Sequence, residues 1–393
     1  MTALGFDLGR SSLRVSRFEA DSPRVCNAAQ GCGPRAGQTV EETLLAAAQG
    51  FIDGEPGAGV FVARGSDPVP VRSTFRRVGQ TLGLRTSRIL SSPAAIAVAH
   101  GLRGEVKLLD GLGLVLDLGA DHVEVALFRR VRSLLLMEPV LTSTSPCGET
   151  FDADVVAARR GATLEDARRA RHALTERFET DLSSPSGGAG RLSRDQLETL
   201  VKPRLEAFTR QSLSVLERVG IRSRDLNTVL LAGGCAQMPF VRRFLSNALG
   251  CPAVVDETPE NTAVLGAALY AEQLKRGGDA LLVTERLSQT LSLSMGGAVE
   301  EPLLRAGLLL PSIASRIFKT SSDQQTELEI VVAAEPPTRF KIVGLTPLPR
   351  GQVLIEVDFL VDLDGLLEIK ARELPGGRNL QVIPDPHGET HAP

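Results

Sequence analysis

Residues 6–18 read FDLGRSSLRVSRF, and residues 116–128 read LDLGADHVEVALF. In one register both give Asp-Leu-Gly, three variable residues, an apolar residue, a gap, Val and a closing Phe. Each stretch predicts an apolar strand that ends at Gly, a tight turn and an alternating return strand, which is a β-hairpin. Leu13 and Val15 alternate with Arg14 and Ser16, as Val123 and Val125 do with Glu124.

The echo extends downstream of both hairpins. Val60-Phe61-Val62 predicts a strand, followed by a loop with Gly65, an amphipathic helix over about 70–82, a short strand at 88–90 and a small-residue helix from Pro93. In the second copy Val229-Leu230-Leu231 predicts the strand and Gly233-Gly234 the loop. A helix over 239–250, a short strand at 251–255 and an Ala-rich helix from Pro259 to Leu274 follow. A strand slipped by one residue turns its core face to water, so a shared register argues for a shared sheet plan.

Two such lobes facing each other create a cleft between their hairpins. Gly9 and Gly119 permit close backbone approach, and their turns are expected to aim amides at an anion. Gly233-Gly234, ahead of a helix, is a third close-approach point. Asp7 and Asp117, at the strand ends, are placed to hold a hydrated Mg²⁺ that bridges phosphates.

Composition narrows the function further. The chain has 393 residues, 42% hydrophobic and 23% charged, as expected for two or three globular domains. Its 44 basic and 47 acidic residues leave a net charge of -3, so no broad cationic field exists to hold DNA or a membrane surface. Trp is absent and Tyr270 is the single Tyr, which argues against base-stacking platforms. The five cysteines, Cys26, Cys32, Cys147, Cys235 and Cys251, lack zinc-type spacing and are expected to be reduced thiols. No apolar run reaches the ~18 residues of a membrane span, and the early first strand is expected to leave no room for a signal peptide. Cytoplasm is the expected compartment.

At this point the chain resembles the actin-like ATPase superfamily and, within it, the heat-shock 70 kDa (Hsp70) chaperone family. GFDLGRSSLRV (5–15) is similar to that family's first phosphate loop, and LVLDLGADHVEVALF (114–128) to its second. GLRTSRILSSPAAIAVAHGL (83–102) resembles the first connecting helix, and CGETFDADVV (147–156) the Gly-Gly-Glu-Asp-Phe-Asp segment. VLLAGGCAQMPFVRRFL (229–245) resembles the adenosine-binding segment, and PENTAVLGAALYA (259–271) the closing helix.

The resemblance implies an α/β fold: an actin-like (ribonuclease H-like) duplicated two-lobe ATPase domain over 1–276, with shortened outer subdomains. GDALLVTE (278–285) resembles the apolar interdomain linker, set at 277–287. An all-β sandwich over 288–393 follows, where Val353, Ile355, Val357 and Phe359 alternate and Asp364-Gly365 marks a hairpin turn. ATP or ADP with Mg²⁺ is the implied cofactor. Gly9, Ser11, Ser12, Gly119, Ala120, Asp121 and His122 are implied around the phosphates. Gly233, Gly234, Cys235, Gln237 and Glu260 are implied near the adenosine, with Arg171, His172 and Thr175 on the helix that covers it. In the sandwich, Met295 and Ser321 would arch over an extended peptide, and Phe318 and Leu328 would line its central pocket; such a pocket supplies roughly 1.5–3 kcal/mol per apolar side chain.

Departures from the family bear on chemistry. The lysine that clamps the transferred phosphoryl group has no counterpart, since the first lysine is Lys107. Arg10 is the candidate replacement for its charge, with a different geometry. Ser91-Ser92-Pro93 stands where the family has Asn-Glu-Pro, and Cys235-Ala236-Gln237 where it has Ser-x-Arg. One lost preorganised donor costs about 2.7–4 kcal/mol, so hydrolysis is expected to be slow or absent.

After about residue 383 a short polar tail with Pro384 and Pro386 predicts no helical lid. The implied partners are unfolded or nascent polypeptide, a J-domain co-chaperone received near Arg88, a nucleotide-exchange factor, or the ribosome as for the family's non-hydrolysing ribosome-associated members. A small-molecule kinase of the same superfamily and a non-catalytic scaffold are the competing readings. The β-rich last hundred residues speak against the kinase.

Overall fold

The computed structural model describes residues 2–9, 12–19, 21–30, 39–48, 51–52, 56–65, 67, 69–103, 111–182, 190–277, 281–294, 301–333 and 337–385. The chain divides into two units, residues 1–65 with 75–283 and residues 66–74 with 284–393.

The first unit opens with strands β1 (Thr2–Leu8), β2 (Ser12–Glu19) and β3 (Ser22–Gln30), then helix α1 (Val40–Ala48). Strand β4 (Pro56–Ala63), helix α2 (Val69–Thr81, of which residues 75–81 belong to this unit), strand β5 (Thr86–Ser91) and helix α3 (Ser92–Arg103) complete the first copy. The second copy begins with β6 (Gly111–Leu118), β7 (Val123–Val131) and β8 (Leu134–Ser143). Helices α4 (Gly148–Ala158) and α5 (Leu164–Glu176), the ribbon β9 (Glu179–Asp181) with β10 (Arg191–Ser193), and the long α6 (Arg194–Arg218) follow. Then come β11 (Thr228–Ala232), a 3-10 turn at Gly234–Gln237, α7 (Pro239–Leu249), β12 (Ala253–Val254), α8 (Thr262–Arg276) and β13 (Leu282–Glu285).

The two sheets share one plan. The first runs β3-β2-β1-β4-β5 and the second β12-β11-β6-β7-β8-β13. In each, an antiparallel meander carries two further strands parallel to its first strand. The hairpin registers also agree: Asp7 lies opposite Arg14, and Asp117 opposite Glu124. The meander strands β3 and β8 were not legible beforehand. SPRVCNAAQ lacks period-two alternation, and Pro139 interrupts the second.

The small-residue helices α3 and α8 pack together between the sheets, and Ala94–Val98, Ala267 and Ala271 share one core with Ala3, Val60, Val115 and Leu230. Gly266 lets the two helices touch, since a Cβ there would lie 1.9 Å from the Ala95 carbonyl oxygen. A separate core of the second copy joins Leu116, Phe151, Leu174, Val201, Leu205 and Leu231.

The expected linker is only partly a connector. Leu281 and Val283 are 2% and 0% exposed and belong to the first unit's core. The Leu282 amide donates to the Ser133 carbonyl, Gln273 Nε2 donates to the Leu281 carbonyl, and both bonds are 2.6 Å long.

The second unit carries β14 (Leu291–Ser294), β15 (Glu301–Leu304), β16 (Ser312–Lys319), β17 (Glu327–Ala333), β18 (Thr338–Val343), β19 (Leu354–Val361), β20 (Leu367–Leu374) and β21 (Arg378–Asp385). They form one antiparallel, sandwich-like sheet in the order β15-β14-β17-β18-β21-β20-β19-β16. Alternation works as read: Ile355, Val357, Phe359 and Val361 of β19 are buried, with partly exposed residues between them. The turn between β19 and β20 is closed by Asp362, whose carbonyl accepts from the Gly365 amide, and Gly365 sits at φ +73°.

Candidate functional site

The C-terminal ends of β1, β4, β6 and β11 open into one cleft of about 1060 Å³ in the first unit. Ligands favour this side of α/β sheets because the strand ends leave turns and helix starts there. Asp7, Gly9, Ser12, Asp117, Gly119, Ala120, Asp121, His122, Arg171, His172, Gly233, Gly234, Cys235, Gln237 and Glu260 all line it. Thr175 does not, and its hydroxyl instead donates to the His172 carbonyl at 2.7 Å. Arg10, Ser11 and Met295 lie outside the described residues.

Asp7 and Asp117 meet here from opposite lobes. Burial pushes the Asp7 carboxyl above its usual range and the charge of Asp117 adds to that, while Arg14 and Arg64 work against it. Arg14 NH1 reaches Asp7 Oδ2 at 3.2 Å, and the Ser92 hydroxyl donates to Asp117 Oδ2 at 2.5 Å.

The turn glycines act differently from the expectation that their amides face an anion. The Gly9 amide donates to the Ser12 carbonyl and the Gly119 amide to the His122 carbonyl, each at 2.9 Å, so both close their own hairpins. The Gly233 amide is likewise taken by the Pro259 carbonyl at 2.9 Å. Their contribution is steric. At Gly233, where φ is +85°, a Cβ would meet the Leu118 carbonyl oxygen at 2.3 Å and Asp117 Oδ1 at 2.6 Å. At Gly234 a Cβ would meet nothing within 4 Å, so this backbone faces open space. The Ser12 hydroxyl is buried at the cleft and has no hydrogen-bond partner among the described residues. A buried polar group left so costs about 1–3 kcal/mol, which a ligand oxygen would recover.

The tip of the second hairpin carries a charged cluster. Arg64 NH1 lies 3.0 Å from Asp121 Oδ2, and His122 Nδ1 lies 2.7 Å from Asp121 Oδ1. Burial alone would raise the Asp121 carboxyl, but the His122 hydrogen bond and the Arg64 charge prevail and hold it at about 2. For His122, burial is outweighed by the bond to Asp121 and by the charge of Glu124, so its pKa is raised.

Farther along the cleft Arg171 is buried and grips Asp152 with two bonds, Nε to Oδ1 at 2.7 Å and NH2 to Oδ2 at 3.2 Å. Burial and the Arg171 charge lower the pKa of His172. Gln237 Nε2 donates to Glu260 Oε2 at 2.7 Å. Burial pushes the Cys235 thiol up to about 12, so it is no nucleophile. Among the described residues no group of three or more His, Cys, Asp and Glu side chains is placed to hold a metal directly.

Sequence reasoning missed Arg14, Arg64, Ser92 and Asp152. The first was within reach, because the hairpin register sets residue 14 opposite Asp7. The others depend on contacts far apart in the chain, with sequence separations of 57 for Arg64–Asp121 and 25 for Ser92–Asp117.

A model of the family described as Hsp70 protein matches residues 162–390. The chain belongs to the Hsp70 family. Similar relatives include a protein named chaperone protein HscA homolog from Pseudomonas paraeruginosa, 28% identical over 340 residues that cover 80% of this chain and 54% of the relative. Its namesake from Variovorax paradoxus is 28% identical over 371 residues, 88% of this chain and 60% of the relative. The chaperone protein DnaK of Thermotoga petrophila is 27% identical over 378 residues, 86% and 63% respectively. The chain thus spans a little over half the length of the curated relatives it matches. The actin-like lobes and the β-sandwich of the Hsp70 family account for the two sheets of one plan and for the second unit. Among the described residues no helix is long and apolar enough to cross a membrane.

In the sandwich Phe318 and Leu328 are partly buried against the core, and Ser321 is exposed, with its amide bound to Gln325 Oε1 at 2.8 Å.

Proposed function

We propose that the chain is an Hsp70-type chaperone or co-chaperone of the cytoplasm that holds an adenine nucleotide, ATP or ADP, between its lobes. Its sandwich binds unfolded or nascent polypeptide through Phe318 and Leu328. The observation that carries this reading is the cleft where Asp7 and Asp117 of the duplicated hairpins meet beside the Ser12 hydroxyl, which has no hydrogen-bond partner among the described residues. The open face at Gly234 supports close approach of a ligand to the backbone.

The donor set fits a cation held at one remove. Two carboxylates facing each other from opposite lobes, with no third direct ligand beside them among the described residues, suit a hydrated Mg²⁺ held by Asp7 and Asp117 through water. Such an ion supplies positive charge to the phosphates when bound. Arg171, His172, Gln237 and Glu260 line the part of the cleft read as the nucleoside end. Arg14 and Arg64 bring the described guanidinium groups nearest the hairpin turns. With no lysine before Lys107, phosphoryl transfer lacks a preorganised cation and hydrolysis is slow. Partners of the J-domain, nucleotide-exchange and ribosomal kinds follow from the family resemblance.

Calorimetry with ATP and with ADP, followed by release of a labelled apolar peptide with and without nucleotide, tests the reading. Saturable nucleotide binding that alters peptide release is the expected result. No heat with either nucleotide overturns it. A second reading, the scaffold with a structural nucleotide, is favoured only if nucleotide binds and peptide release does not respond.

A further inference from the structure

The cluster on the second hairpin tip bears on which nucleotide the cleft takes. The turn is closed by the Gly119-to-His122 bond, leaving Ala120 and Asp121 at its tip. Asp121 reaches across the cleft to Arg64, which follows β4 in the other lobe, and is fixed from its own side by His122. Three carboxylates, Asp7, Asp117 and Asp121, therefore line this end of the cleft, and buried Glu124 stands behind it, with Oε1 accepting from the Gly65 amide at 2.5 Å. The two described guanidinium groups of this end are each committed to a carboxylate, Arg14 to Asp7 and Arg64 to Asp121.

If the nucleoside lies against Arg171, Gln237 and Glu260, the phosphate chain runs toward the hairpin turns. Its terminal group then meets the Asp121 carboxylate already seated on Arg64. A third phosphate has either to displace that carboxylate from its guanidinium or to sit beside it, and like charges at such range oppose binding. A diphosphate has no third phosphate to set against the bridge.

We infer that Asp121 makes the cleft select nucleoside diphosphate over nucleoside triphosphate. The inference rests on the proposed reading that the cleft binds adenine nucleotide. It assigns specificity to a residue whose place in the turn is otherwise that of a loop tip.

The test is displacement of a fluorescent ADP analogue from the full chain by ADP and by ATP, both with excess Mg²⁺. ADP is expected to compete at a concentration more than about tenfold lower than ATP. Asp121→Asn is expected to improve ATP relative to ADP, bringing the two competing concentrations to within about threefold of each other. Asp121→Ser serves as the second variant if the first does not fold, as judged by circular dichroism. Equal competition by the two nucleotides in the unaltered chain overturns the inference and leaves the nucleotide reading standing. A substitution that shifts ADP and ATP alike also overturns it, since a structural role moves both. If the probe does not bind at all, the nucleotide reading fails and the selectivity falls with it.

Discussion

Arg171 of α5 and Asp152 of α4 form a buried two-bond ion pair, with the aspartate 1% and the arginine 5% exposed. Burial works to lower the arginine pKa, but the aspartate hydrogen bond together with neighbouring negative charge outweighs it and holds that pKa above its ordinary value, so the guanidinium stays charged. Removing one partner of such a pair strands the other charge in a medium that solvates it badly. Asp152→Ala is expected to destabilise the first unit by about 3–5 kcal/mol, whereas the double change Asp152→Leu with Arg171→Met costs much less. Urea unfolding of the single and double variants measures the difference. Equal losses would show that packing, not charge, dominates there.

The paired glycines at the start of the 3-10 turn separate folding from binding. Gly233→Ala adds a Cβ 2.3 Å from the Leu118 carbonyl oxygen in a backbone of positive φ, so thermal stability is expected to fall. Gly234→Ala adds a Cβ to empty space and is expected to leave thermal stability unchanged. If nucleotide approaches this backbone closely, Gly234→Val weakens nucleotide binding without moving the melting temperature. Unchanged binding in Gly234→Val would place the ligand elsewhere in the cleft.

The fold was legible where register and repetition carry the information. Asp-Leu-Gly twice, with the same spacing to Val and Phe, determined two hairpins, and these nucleate sheets of one strand order. The aspartates at 7 and 117 were readable for the same reason. Less legible was what each backbone and side chain does once folded. Gly9 and Gly119 spend their amides on turn closure, a matter of main-chain geometry that a motif does not disclose. Arg64 and Asp152 act through partners brought near by β4, α4 and α5, and no local pattern marks them. The linker read as an apolar connector because Leu281 and Val283 are apolar. That very character lets 281–283 pack along β8 beside α8.

The crossing of α3 and α8 gives a third prediction. Any side chain at 266 has to enter the space held by the Ala95 carbonyl, and Gly5 on β1 has the Val264 carbonyl 2.5 Å from where its Cβ would be. Gly266→Ala is therefore expected to cost at least about 1–3 kcal/mol by overpacking, despite the better helix propensity of alanine. Gly277, just past α8 with φ +66° and nothing near its Cβ, serves as the contrast: Gly277→Ala strains the backbone alone. A melting temperature lowered more by Gly277→Ala than by Gly266→Ala would contradict the close helix contact.

Stability should change with pH on both sides of neutrality through Asp121 and His122. The Asp121 carboxyl is held at about 2 against an ordinary 3.8, so its contribution is complete above the ordinary value and is lost as pH falls toward about 2. His122 titrates above its ordinary 6.5, so its contribution is complete below that value and disappears as pH rises through the raised one. Both groups keep the pair charged over the window between those ordinary values. Asp121→Asn is expected to flatten both limbs of a urea-midpoint profile, because one hydrogen bond underlies both. Nuclear magnetic resonance titration of the His122 ring gives the direct check. A midpoint below 6.5 in the unaltered chain would mean that burial prevails over the aspartate, and the hairpin tip would then carry a neutral imidazole at physiological pH.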